Sequence, residues 1–161
     1  MPTRTAILFI CMGNICRSPL AEGIFLHKAN LRRIADRFTV DSAGTGGWHA
    51  GSRPDRRAIE IAAQRGVHLP SVARQVEPRD FERFDHLLCM DEENRRELLA
   101  MGAPAQKVEL VLRWDPNARR TDVPDPYYGG MNEFAECWSL LDSACDALLD
   151  RLIPAAPRSR A

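Results

Sequence analysis

Four short runs of strand-forming, largely apolar residues recur along the chain, at positions 5–10, 38–42, 86–90 and 108–112. Each is followed by a stretch long enough for a helix. Apolar runs of this length read as strands buried on both faces, and their alternation with helices leaves one fold class. We predict an α/β single domain: a four-stranded parallel sheet with helices on both faces, in the order βαβαβαβα, with right-handed crossovers. A length of 161 residues with 45% hydrophobic and 27% charged side chains suits one such core. The domain is placed at residues 1–153, and residues 154–161 are expected to be a flexible C-terminal tail rich in Pro, Arg and Ala.

The helix starts are marked. Ser18 followed by Pro19 reads as an N-cap and a first helical residue. Pro54 is expected to open a helix reaching about Arg65, and Asp91 one that carries acids in its first turn. Phe134, Trp138, Leu141, Cys145, Leu148 and Leu152 recur every three or four positions, which predicts an amphipathic C-terminal helix. Residues 115–130, with three prolines, are expected to form a long loop.

Charge and cysteines narrow the setting. Lys+Arg and Asp+Glu are 22 each, so nothing in the balance points to nucleic acid or a membrane surface. No apolar run approaches the roughly 20 residues of a membrane span. Five cysteines, an odd number, without a secretory signal suggest free thiols in a reducing, cytoplasmic setting. There is no C-x2-C and no histidine pair at ligand spacing, so neither a metal nor a cofactor is expected.

In open parallel sheets ligands gather at the carboxyl ends of strands where the winding reverses, which points to the loop after the first strand. That loop reads C-x5-R-S, from Cys11 to Ser18. Backbone amides entering a helix N-terminus form an anion nest, and Gly13 is expected to allow the tight path. Arg17 is a planar fork able to meet two phosphate oxygens. A thiolate beside a bound phosphoryl group is set for covalent displacement. The missing Lys and the single Gly set this loop apart from an ATP cradle. Asp91, at a neighbouring strand end, is expected to orient Arg17.

At these residues the chain resembles the low-molecular-weight protein tyrosine phosphatase family. The likeness runs through C-x5-R-S-P, Asp41 to Trp48, Ala73-Arg74-Gln75, Leu88 to Asp91, and Asp125-Pro126-Tyr127-Tyr128, in order over nearly the whole chain. It implies metal-free hydrolysis of phosphotyrosine monoesters on proteins: Cys11 as nucleophile, Arg17 as phosphate clamp, Asp125 as general acid. The loop residues Met12, Gly13, Asn14, Ile15 and Cys16 would surround the substrate phosphate, while Asn14, Ser18 and Ser42 would hold the loop by hydrogen bonds. One departure stands out. The family often carries a histidine where this chain has Ser71, which is expected to donate a single hydrogen bond in its place.

Asp125 lies in the long Pro-rich loop with two rivals, Asp115 and Asp122. It is preferred because the tyrosine pair behind it matches the family motif. Trp48 and Tyr127 are expected to form two aromatic walls, suited to a phenyl ring and too deep for the short stem of phosphoserine. Cys16 is read either as a redox partner of Cys11 or as a residue packing beneath the loop; Cys89 and Cys145 are read as core. Two alternatives remain. A thiol-dependent arsenate reductase resembles the same fold and loop but needs a close cysteine relay in its second half. A non-catalytic phosphotyrosine-binding module would not need both Cys11 and Asp125.

Overall fold

The four apolar runs become strands. β1 (Thr5–Cys11), β2 (Phe38–Gly44), β3 (His86–Cys89) and β4 (Val108–Leu110) pair in parallel as one sheet in the order β2-β1-β3-β4. This is a computed structural model that describes residues 4–153; the tail expected at 154–161 lies outside the described residues. Side chains alternate along β1. Ile7, Phe9 and Cys11 join the core on one face, and Leu8 and Ile10 join the core on the other.

The first face is covered by α1 (Arg17–Leu31), α2 (Arg56–Gln64) and α5 (Met131–Leu152). Phe25 of α1 is clamped between Phe9 and Phe38, at ring separations of 5.9 and 4.9 Å. Burying a ring of this size contributes about 1.5–3 kcal/mol relative to leaving it in water, and it fixes α1 over β1. The second face is covered by α3 (Asp80–Arg83) and α4 (Glu92–Ala100), through Phe81, Phe84 and Leu98. Among the described residues no helix is long and apolar enough to cross a membrane.

From β1 the chain first winds to β2 on one side, then crosses to β3 on the other. The reversal falls beside β1, and Cys11 is the last residue of that strand. The sheet therefore delivers Cys11 to the place where such folds hold ligands.

Several boundaries differ from the sequence reading. β4 ends at Leu110, because residues Val111–Trp114 tighten into a 3-10 turn. α2 starts at Arg56 rather than Pro54: Asp55 caps it by accepting the Arg57 amide at 2.9 Å, so Pro54 stays outside. The N-cap of α1 is Cys16, not Ser18, and no side chain caps this end. The Ser18 hydroxyl has other partners, described next. At α4 the expectation holds: Asp91 and Asn94 form a reciprocal capping box.

Candidate active site

The loop between Cys11 and Arg17 turns sharply around Asn14, whose backbone is left-handed at φ 56°. Asparagine tolerates this conformation better than most residues. The sequence reading gave the turn to Gly13, but Gly13 does not take a positive φ. Its small size matters differently, since a Cβ there would sit 3.0 Å from the ring of His49. Gly44 is needed more strictly, because a Cβ would fall 2.7 Å from the Met12 carbonyl oxygen.

Asn14 is the hub of the loop. Its side-chain amide donates to Ser18 Oγ at 2.8 Å and to Ser42 Oγ at 3.0 Å. Its Oδ1 accepts the Arg74 backbone amide at 3.0 Å. Residues 74–76 reach this position by bridging to Gly44 at the end of β2. The Arg74 guanidinium is forked onto the fully buried Asp80 at 2.9 and 3.1 Å, and its Nε reaches Asp41 at 3.1 Å. Ser42 in turn donates to Glu22 at 2.5 Å. Burial pushes the Glu22 carboxyl up to about 7, with the Ser42 hydroxyl only partly opposing it. Ser71 does not join this network: its Oγ is buried with no hydrogen-bond partner, contrary to the expected supporting bond.

The network converges on one sulfur. Cys11 Sγ lies 3.0 Å from Ser18 Oγ and accepts the Asn14 amide at 3.3 Å. No acceptor among the described residues takes the amides of Met12, Gly13, Ile15 or Cys16. The start of α1 is likewise without a side-chain cap, so the first-turn amides stay available beside the four loop amides. Such an array fits a tetrahedral anion.

Arg17 closes the hollow from one side. It is almost fully buried, and its Nη1 donates to Asp91 at 2.5 Å and to the Val123 carbonyl at 3.0 Å. Nη2 lies 3.7 Å from Asp125 Oδ2. Burial works against the guanidinium charge, but Cys11, Asp91 and Asp125 outweigh it and hold Arg17 above its ordinary range. One Asp91 oxygen thus accepts from Arg17, while the other caps α4 at 2.8 Å.

The three acids of the long loop separate clearly. Asp115 accepts from Ser143 and from the Asn117 amide, and Asp122 accepts from the Glu92 amide. Only Asp125 lines the cleft above Cys11, which encloses about 260 Å³. Its carboxylate keeps its orientation through the Tyr127 amide at 3.1 Å.

Met12, Trp48 and Tyr127 line the cleft with exposed side chains, and the buried Ile15 and Cys16 line it beside Gly13. Burial first, then Asp55 and Cys11, pushes the Cys16 thiol far up. Two lining residues escaped the sequence reading, His49 and Tyr128. His49 follows Trp48 directly, and its place in that glycine-rich loop was the available signal. Tyr128 stacks edge-on against Tyr127 at 5.0 Å. Cys89, Cys137 and Cys145 are buried, so no thiol path leads outward from the cleft among the described residues.

The profile of one protein family, described as low molecular weight phosphotyrosine protein phosphatase, matches residues 6–156. The phosphatase of that name from Schizosaccharomyces pombe is 37% identical over 142 residues, covering 86% of this chain and 90% of the relative. The human one is 37% identical over 150 residues, covering 91% and 94%. Among solved structures, a protein tyrosine phosphatase from Entamoeba histolytica with Hepes in its active site superposes with a TM-score of 0.88 at 36% identity, covering 92% of this chain and 96% of that one. A drosophila arginine phosphatase superposes with a TM-score of 0.86 at 30% identity, covering 93% and 99%.

Proposed function

Since this chain belongs to the low molecular weight phosphotyrosine protein phosphatase family, we propose that it hydrolyses phosphotyrosine monoesters on proteins through a covalent phosphocysteine at Cys11. The observation that carries the reading is the meeting in one cleft of Cys11 Sγ, four unpartnered amides, the Arg17 guanidinium and the Asp125 carboxyl.

Residues 12–16 act as the phosphate-binding loop. The amides and the Nε and Nη2 of Arg17 take the three non-bridging oxygens, while Asp91 and the Val123 carbonyl hold Nη1. The Cys11 thiolate attacks phosphorus in line with the aryl oxygen. As the P–O bond breaks, the Asp125 carboxyl gives its proton to the departing oxygen and tyrosine leaves as the neutral phenol. Ser18 and the Asn14 amide stabilise the charge on sulfur before attack and again on its release. A water molecule then attacks phosphorus and passes a proton to the Asp125 carboxylate. The S–P bond breaks, and inorganic phosphate departs with the thiolate restored. All bonds are made and broken by side chains of this chain and water, and no cofactor enters the scheme.

Trp48, Tyr127 and Tyr128 form walls for the substrate ring above the apolar Ile15, a setting suited to an aryl ester. Cys16 belongs to the proposal as a redox partner. A peroxide would oxidise the Cys11 thiolate to a sulfenic acid, releasing hydroxide, and the Cys16 thiol of the same loop would condense with it to a disulfide, releasing water. The five free cysteines support a cytoplasmic setting for this chemistry. Asn14 and Ser18 hold the Cys11 sulfur directly, while Ser42 and Asp91 support the site without touching the reacting atoms; Ser71 is dropped from that group. Arsenate reduction is disfavoured by the burial of Cys89, Cys137 and Cys145, and a binding-only role by the presence of Asp125 beside Cys11.

The test is hydrolysis of phosphotyrosyl, phosphoseryl and phosphoarginyl peptides by the wild type and by Cys11→Ser, in reducing buffer with chelator. We expect turnover of the phosphotyrosyl peptide alone, reduced by at least about four decades in Cys11→Ser. Preference for the phosphoarginyl peptide, or turnover that survives Cys11→Ser, overturns the reading.

A further inference from the structure

The loop that carries Asp125 has few attachments. Between Val123 and Gly130 its internal bonds are the Tyr127 amide to Asp125 Oδ1 and the Gly129 amide to the Pro126 carbonyl, at 3.1 and 2.9 Å. Val123 and Gly130 are anchored at the two ends, by Arg17 and the Met90 carbonyl and by the start of α5; among the described residues, the hydrogen bonds that reach residues 124–129 from elsewhere come from one side chain, Arg57 on the first turn of α2. Arg57 Nη1 donates to the Gly129 carbonyl at 2.7 Å, and Nη2 to the Tyr127 carbonyl at 2.9 Å. Its guanidinium also covers the Tyr127 and Phe134 rings, 5.7 and 4.6 Å from their centroids.

Arg57 is itself held in place. Asp55 accepts its Nε at 3.0 Å and its Nη2 at 2.9 Å, a fork that keeps the Asp55 carboxyl below its usual range. The backbone amide of Asp55 donates to the Ile15 carbonyl at 2.8 Å, inside the Cys11 loop. One continuous path therefore runs from the Cys11 loop through Asp55 and Arg57 to the two carbonyls that follow Asp125.

We propose that Arg57 is a positioning residue for the general acid: it registers the Asp125 loop against the Cys11 loop, so that the carboxyl meets the leaving oxygen. This rests on the reading of Asp125 as the acid. Arg57 does not line the cleft, so it acts through the groups it holds: the backbone that follows Asp125 and, beside it, the Tyr127 wall. A misplacement of about 1 Å is enough to cost roughly two decades in rate.

The experiment compares two esters that differ in their need for an acid. Phenyl phosphate releases a phenolate whose conjugate acid has a pKa of about 10, as in tyrosine, and depends on protonation. 2,4-Dinitrophenyl phosphate releases a stabilised anion and does not. For Arg57→Met we expect kcat/KM on phenyl phosphate to fall about 10- to 100-fold, with the dinitrophenyl ester and the inhibition constant of inorganic phosphate nearly unchanged. Added to Asp125→Ala, Arg57→Met should cause no further loss. Arg57→Lys keeps the charge and stem but not the fork, so it should show the same leaving-group dependence and serves if the Met variant does not fold. Equal losses on both esters, or losses that multiply in the double variant, overturn the role of Arg57. Equal losses on both esters in Asp125→Ala alone overturn the acid assignment, and the positioning role falls with it.

Discussion

The two halves of the cleft are built in opposite ways. The Cys11 loop is buried and over-determined: Asn14 is 1% exposed and is tied to α1, β2 and the 74–76 segment at once. The Asp125 loop is exposed, with Tyr128 at 90%, and between its anchored ends its backbone is fastened from outside by Arg57 alone among the described residues. The difference follows the proposed chemistry. An anion cradle works by having its donors fixed before the ligand arrives, because reorganising them would consume the stabilisation they give. An acid must approach a leaving group of variable shape and then face water in the second step, so a lightly tethered loop serves it better.

The largest expected effect separates the halves by function. Asp125→Ala should lower turnover of a phosphotyrosyl peptide by about two to three decades while leaving phosphate inhibition almost unchanged. If phosphate affinity falls in parallel, the two halves are not independent and the comparison breaks. The next separates them by stability. Asn14→Ala leaves the Arg74 amide without its acceptor, takes one donor from each of two serine hydroxyls and forces alanine into a left-handed turn. It should cost about 3 kcal/mol in urea unfolding, and a cost below about 1 kcal/mol would show the hub to be redundant.

A third measurement uses pH. Glu22 is buried behind the Cys11 loop, and its folded-state value of about 7 lies above the ordinary 4.5. The native state therefore keeps a proton that the unfolded chain has lost, so stability falls as pH rises from about 4.5 to about 7 and is level above that. The Glu22 contribution over this window is up to about 3 kcal/mol. Urea midpoints of wild type and Glu22→Gln should diverge between pH 5 and 8, the variant losing less; parallel curves would remove the claim. The smallest effect is in the other loop. Tyr128→Ala should change stability by less than about 0.5 kcal/mol, and a larger loss would mean that this loop is more firmly seated than its bonding suggests.

What the sequence made legible was what residue type and period encode. The strands announced themselves as apolar runs, and the switch in winding then located the Cys11 loop. α5 was visible as a stripe. α1 was not, because Arg17 through Phe25 are all buried and no polar face interrupts the pattern. Ser18 looked like a cap because serines usually serve as caps; the competing use of its hydroxyl lies in partners distant in the fold. Arg57 was invisible for a related reason. It binds backbone carbonyls 70 and 72 positions away, and a carbonyl carries no trace of residue type. Ser71 could be read only as a difference from a family habit, and its hydroxyl is left without a partner.

Asp91 spends one oxygen on the first turn of α4 and the other on Arg17. The same carboxylate thus starts a helix on one face of the sheet and aims a guanidinium on the other. Anyone transplanting this centre into a different scaffold would need more than the eight residues from Cys11 to Ser18. The smallest unit that keeps the arginine aimed is two adjacent parallel strands with the helix beginnings that follow both, and a graft lacking the second would carry an arginine with nothing to aim it.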